Sequence, residues 1–190
     1  MITEKDFQIR EWSCDIDADL ALKQYEFEKA IILHKQYLEK NPSNGLTLYH
    51  VGYAYGQLGD HQNEIDFYER SVALGFYKHG ILFNLGMAYG EMGRIEDSIR
   101  IFEMAVKRYP DNPDNHFGLA VAYQKNSSNI LAEREFLRAI DINPLNLEAR
   151  LHLGILYAEM NETRKARNQF LKILEIDPDN ESALEFLKEF

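Results

Sequence analysis

Between residues 79 and 112, apolar side chains recur at spacings of three and four: Leu82, Leu85 and Tyr89, then Ile95, Ile99 and Phe102. That spacing gathers side chains on one face of a helix, so the stretch predicts two helices on either side of a polar break. The pattern then returns at a fixed shift. Gly52, Gly86 and Gly154 stand 34 and 68 residues apart, Ala120 fills the missing phase, and Tyr55, Tyr89, Tyr123 and Tyr157 follow three residues after each. Phe102, Phe136 and Phe170 share a phase with Tyr68 and His34, and Pro42, Pro110, Pro144 and Pro178 share another. A period of this length marks an array of supersecondary units. It divides the chain into an N-terminal extension at 1–10, repeats at 11–44, 45–78, 79–112, 113–146 and 147–180, and a capping helix at 181–190.

Local signals agree with the helix pairs. Gly59 and Gly93 mark the break inside a pair. The second helix meets a Pro, which has no amide hydrogen to continue it, and Asn44, Asn112, Asn146 and Asn180 stand where the next helix needs an N-cap. Pro113 suits a first helical turn. Small residues at the Gly52 phase and at Ala30, Ala132 and Ala166 let paired helices approach, with the Tyr and Phe phases filling the space between. A large side chain at Gly86 is expected to cost roughly 1–3 kcal/mol by overpacking.

Leu82 to Gly93 reads LxxLGxxYxxxG and is followed by the Phe102, Ala105 and Pro110 phases, which resembles the tetratricopeptide repeat. The resemblance covers 45–180 well, the first helix of 11–44 weakly, and 181–190 as half a repeat. It implies an all-α fold, a right-handed superhelical solenoid of antiparallel helix pairs, with first helices lining a concave groove and second helices at the back. It also implies a non-catalytic scaffold or peptide-binding role without cofactors. Three positions depart from the pattern. Glu64 stands in the small-residue phase of Ala132 and is expected to reach its carboxylate to solvent rather than bury it. Phe76 replaces the terminating Pro, predicting an altered junction after the second repeat. CDIDADLALKQYEFEKA keeps only second-helix features, as a solvent-facing N-terminal cap would.

Carrying the family's groove positions across places Tyr49, Tyr53, Phe83, Asn84, Met87, Phe117, Val121, Leu151 and Ile155 on the groove floor. These floor residues are apolar except Asn84, and pairs four apart share a helix face. Gly56, Gly80, Gly90, Gly118 and Ala158 are expected to leave pockets between them, and Glu91, Asp114, Glu148, Glu159 and Glu185, interrupted by Lys125, to form an acidic rim. A partner protein or peptide with apolar anchors and basic flanks fits such a face. Chaperone-tail clamps of this family use Lys, Arg and two Asn in successive first helices. Only Asn84 matches, with Tyr49, Tyr53, Asp114 and Gly118 at the other positions, so that activity is not expected.

Composition narrows the remaining classes. Acidic residues outnumber basic ones 31 to 21 for a net charge of -10, which opposes nucleic-acid binding, since that rests on Lys and Arg neutralising phosphates. Hydrophobic residues make up 45% and charged ones 27%, enough apolar material for a folded core. Cys14 is the only cysteine, which excludes an internal disulfide and fits a reducing compartment. The N-terminal residues MITEKDFQIREW lack a secretory core and no apolar stretch is long enough to span a bilayer, so a cytoplasmic protein without membrane insertion is expected. The six His are dispersed. His50 and His152 share a phase but lie three repeats apart, no His pairs at helical spacing with a second His or Cys, and no hydrolase, metalloprotease or nucleotide-binding fingerprint occurs. Metal sites and catalysis are therefore not expected. The leading expectation is a module that takes an extended or helical segment into its groove. The alternative is a homo-oligomer in which the groove receives the N-terminal Phe7, Ile9 and Trp12, or an edge helix of a second copy, with Phe186 and Phe190 as a further contact.

Overall fold

The computed structural model describes residues 15–188, apart from the side chain at position 79. The N-terminal extension, with Phe7, Ile9, Trp12 and Cys14, and Phe190 at the other end lie outside the described residues. Eleven helices and no strand occur among those described: α1 Ile16–Lys23, α2 Phe27–Lys40, α3 Gly45–Gln57, α4 His61–Ala73, α5 His79–Glu91, α6 Ile95–Arg108, α7 Pro113–Lys125, α8 Asn129–Ile142, α9 Leu147–Glu159, α10 Thr163–Ile176 and α11 Glu181–Lys188. Helices α3, α5, α7, α9 and α11 begin 34 residues apart. None of these helices is long and apolar enough to cross a membrane. The chain divides after Gly93 into two compact units, one carrying α1–α5 and the other α6–α11.

Several helix starts follow from a short-range hydrogen bond. The side chains of Asn44, Asn112, Asn146 and Asn180 accept from the backbone N–H of Thr47, Asn115, Ala149 and Ala183, at 2.9 to 3.1 Å. Each thereby satisfies a donor that the first helical turn leaves open. Asp15 does the same for Ala18 at 3.0 Å, and Pro113 occupies the first turn of α7. Among the helices that begin on this 34-residue phase, α5 is the exception, where Lys78 stands at the N-cap and makes no side-chain cap. Turns within helix pairs share one conformation: Tyr25, Gly59, Gly93, Ser127 and Asn161, each 34 residues from the next, have φ of 58 to 75°. Glycine accepts that left-handed backbone freely, whereas the other three carry a Cβ against it.

In the first unit, Ile31, Leu38, Leu48, Val51, Ala54 and Phe67 form a buried cluster of α2, α3 and α4. Helix α4 lies close against α3: a Cβ on Gly52 would come 2.6 Å from the Tyr68 ring, and Ser71 Oγ donates to the Gly45 carbonyl at 2.6 Å. Where the repeat lacks its Pro, α4 ends through Gly75 at φ 83°, and buried Phe76 packs its ring 5.8 Å from that of Tyr49. In the second unit the same close approach recurs between α9 and α10, where a Cβ on Gly154 would meet Phe170 at 2.5 Å. Phe170 in turn stacks on Phe186 at 5.0 Å, and Phe186 is half-buried.

Glu64 departs from the expectation of a solvent-reaching carboxylate. It is buried, with His61 Nδ1 2.8 Å from its Oε2. Its carboxylate fills the space over Gly56, where a Cβ would lie 2.5 Å from Oε1. Burial raises its pKa and the His61 hydrogen bond opposes that rise.

Candidate functional site

Within each unit, two recurring kinds of side-chain contact hold neighbouring helices in register. In the first, a residue of a second helix meets the residue sixteen positions later on the next helix. Tyr68 Oη accepts from Asn84 Nδ2 at 3.3 Å, Phe136 stacks on His152 at 5.9 Å, and Phe170 stacks on Phe186. Phe102 fills the place over Gly118, where a Cβ would lie 2.2 Å from its ring. The fifth pair is His34 with His50, ring centroids 5.2 Å apart.

The second kind ties the tyrosines that the period picks out. Tyr89 Oη donates to Glu69, and Tyr123 Oη donates to Glu103 at 2.8 Å, each twenty residues back. At Tyr55 the partner is Lys35 Nζ, which donates to Oη at 2.6 Å, also over twenty residues. The corresponding position before Tyr157 is Leu137, and Tyr157 Oη instead donates to Glu133 at 2.7 Å. Burial and the Glu103 hydrogen bond push Tyr123 up to about 12. Burial and the Glu133 hydrogen bond raise Tyr157 as well, so Tyr123 and Tyr157 stay neutral donors.

In the first unit, Tyr53, Asn84 and Met87 come together around one cavity of about 150 Å³, with Gly56, Tyr68 and the acidic Glu64 and Glu91 also in its wall. Met87 is 38% exposed, whereas Asn84 is half-buried and already donates to Tyr68. Phe83 is half-buried. Tyr49 and Tyr53 line a second, larger cavity of about 510 Å³ with Asp19, Leu22, Tyr25 and His50. Tyr49 is stacked on Tyr68 at 5.6 Å, and burial raises its pKa. Gly80 is open, its nearest neighbour being Tyr49 Oη at 3.8 Å from an added Cβ, but the space at Gly56 is taken by Glu64.

In the second unit, Phe117, Val121, Leu151 and Ile155 are all half-buried on α7 and α9. Phe117 lies edge-on to His152 at 5.3 Å and 6.0 Å from Phe136, so much of its ring serves packing. Gly118 opens no pocket, since Phe102 occupies the place. Of the expected rim, Glu91, Asp114, Glu148 and Glu159 are exposed, and Glu159 accepts from Gln124 Nε2 at 2.9 Å. Beneath this face His116 and Glu135 form a buried pair at 2.8 Å, and His116 Nε2 lies 2.9 Å from the Pro110 carbonyl. Both ring nitrogens thus face acceptors, which favours imidazolium. The Glu135 hydrogen bond raises the His116 pKa and the reciprocal bond lowers that of Glu135.

Spacing along one helix missed a cluster that folding assembles from three. Asp19 on α1, His34 on α2 and His50 on α3 bring potential ligand atoms within 4.8 Å of one another. Burial, followed by the neighbouring His50, lowers His34 to about 4, and burial also lowers His50, so both are neutral imidazoles. The signal available in the sequence was the sixteen-residue offset, which runs across two repeats rather than within a helix.

Comparison with known proteins follows the same lines. Models of the tetratricopeptide repeat match residues 47–74, 81–112 and 131–188. No curated protein matches the sequence. Among solved structures, a crystal structure of MamA superposes with TM-score 0.82 at 23% identity, covering 87% of this chain and 96% of that one. YrrB, described as a TPR protein with an unusual peptide-binding site, gives 0.81 at 20% over 97% and 96%. A MamA fragment from Desulfovibrio magneticus RS-1 gives 0.82 at 18% over 95% and 99%. At these identities the likeness is one of fold.

Proposed function

The chain belongs to the tetratricopeptide-repeat family, and from that premise we propose that it is a non-catalytic interaction module binding a peptide segment of another protein against its first-helix faces. The observation that carries this reading is the meeting of Tyr53, Asn84 and Met87 at one cavity whose wall also holds the carboxylates of Glu64 and Glu91. An aliphatic or aromatic anchor packs against Tyr53 and Met87, and a neighbouring Lys or Arg of the ligand reaches Glu91. In the second unit, Val121, Leu151 and Ile155 offer a comparable half-buried apolar face, with Asp114 and Glu148 exposed. A well-packed apolar anchor can contribute more than about 2 kcal/mol, whereas an exposed ion pair gives about 0–1. The apolar positions therefore set affinity and the acids set orientation. YrrB's description as a peptide-binding TPR protein is consistent with this use of the fold.

Selection of peptides from a random displayed library against the full chain tests the reading. Enriched sequences are expected to pair apolar anchors with Lys or Arg, and Met87→Glu or Val121→Glu to weaken them about tenfold or more while helicity is kept. Enrichment of acidic peptides, or binding indifferent to both substitutions, rules out this face.

A further inference from the structure

His34 is fully buried, and neither of its ring nitrogens has a hydrogen-bond partner among the described residues. Asp19 Oδ1 and His50 Nδ1 are likewise buried and unpartnered. His50 Nδ1 stands 3.0 Å from Asp19 Oδ1, yet not in the orientation of a hydrogen bond, and His34 Nε2 stands 3.6 Å from the same oxygen. Asp19 Oδ1, His34 Nε2 and His50 Nδ1 thus converge from three helices on one point, an arrangement of unpartnered atoms that buried polar groups normally avoid. Packing does not call for it. The positions equivalent to His34 in the following repeats are Tyr68, Phe102, Phe136 and Phe170, all fully or almost fully buried aromatics.

We propose that Asp19, His34 and His50 form a binding site for a divalent transition-metal ion of the zinc class. A cation between Asp19 Oδ1, His34 Nε2 and His50 Nδ1 satisfies all three atoms at once. Ligands of tetrahedral zinc, at bond lengths near 2.0 Å, stand roughly 3.3 Å apart. The observed 3.0 and 3.6 Å bracket that separation. Two imidazoles with one carboxylate select a borderline ion over Mg²⁺ or Ca²⁺, which take oxygen ligands. Asp19 and His50 also line the cavity of about 510 Å³, which gives an ion a way in and a water molecule room as the fourth ligand. The site has a structural consequence. Helix α1 has only eight residues, too few to be stable alone, and the ion pins it to α2 and α3.

The test uses the tag-free full chain, stripped with chelator and titrated with ZnCl₂ by calorimetry, with metal content measured after gel filtration. One zinc per chain and a raised melting temperature are expected, and Co²⁺ is expected to give the visible absorption of a four-coordinate site. Asp19→Asn and His50→Gln are expected to weaken zinc by at least about tenfold. His34→Phe, which restores the aromatic of the other repeats, is expected to abolish binding while keeping helicity. Absence of zinc uptake by the wild type overturns the proposal, as does uptake that survives unchanged in folded His34→Phe and His50→Gln.

Discussion

At Gly118 an added methyl group has to enter space held by the Phe102 ring, while at Gly80 it meets nothing closer than 3.8 Å. Gly118→Ala is therefore expected to lower stability by about 1–3 kcal/mol and Gly80→Ala to leave it unchanged or raise it by about 0.5–1, as chemical denaturation reads them. Both glycines look alike in the sequence, and both were expected to open pockets. What separates them is the packing overhead: the Phe102 ring lies on Gly118, whereas Gly80 has only Tyr49 Oη within reach. The His116–Glu135 pair gives a second residue-scale consequence. The raised His116 pKa means that its contribution is fully present below the ordinary value of 6.5 and is lost as pH rises through the folded-state value. The lowered Glu135 pKa means that its contribution is present above 4.5 and is lost as pH falls through the folded-state value. The pair therefore stabilises most between 4.5 and 6.5. Arg134, paired with Glu135 at 2.9 Å, and Arg138, whose charge lowers His116, act on the same window. His116→Leu is expected to cost about 1–3 kcal/mol near pH 6, and to lose the component of wild-type stability that declines above 6.5. Equal losses at pH 6 and pH 9 contradict the assignment.

At the scale of the element, the helix starts were legible wherever an Asn precedes them, because one side-chain oxygen satisfies a first-turn donor whatever lies beyond. Lys78 occupies that same phase without a cap, so Lys78→Asn is expected to raise stability by about 0.5–2 kcal/mol, read as an increase in the denaturation midpoint. An unchanged or lowered midpoint contradicts the capping account. The left-handed turns were legible at Gly59 and Gly93 alone. Tyr25, Ser127 and Asn161 adopt the same φ but carry no glycine to announce it, and only the 34-residue repeat identifies them. The tyrosine phase was visible and its partners were not. Lys35, Glu69 and Glu103 reach their tyrosines from one position in the period, but they differ in charge and Leu137 stands there without the contact, which disguises the pattern. Glu64 was misjudged because a carboxylate over a glycine, next to His61, has room and a partner that phase alone does not show.

At the scale of the whole molecule, the all-α fold was readable because the 34-residue period, the caps and the small residues agree with one another. The face proposed for ligand binding was readable only in part. Tyr53, Asn84 and Met87 do share one cavity, yet Phe117 gives much of its ring to His152 and Phe136, and Tyr49 to Tyr68 and Phe76. Apolarity at a groove position does not distinguish a side chain used for packing from one left for a ligand. The net charge of -10 favours encounter with basic segments, so association with a Lys- or Arg-bearing peptide is expected to slow as ionic strength rises. The most direct test of the central claim is an NMR titration of the isotopically labelled full chain with a selected peptide. The account predicts saturable shifts centred on Tyr53, Asn84 and Met87, with a second set at Val121 and Ile155, and their loss in Met87→Glu. Shifts confined to the exposed faces of α4 and α8, or unchanged by that substitution, contradict it.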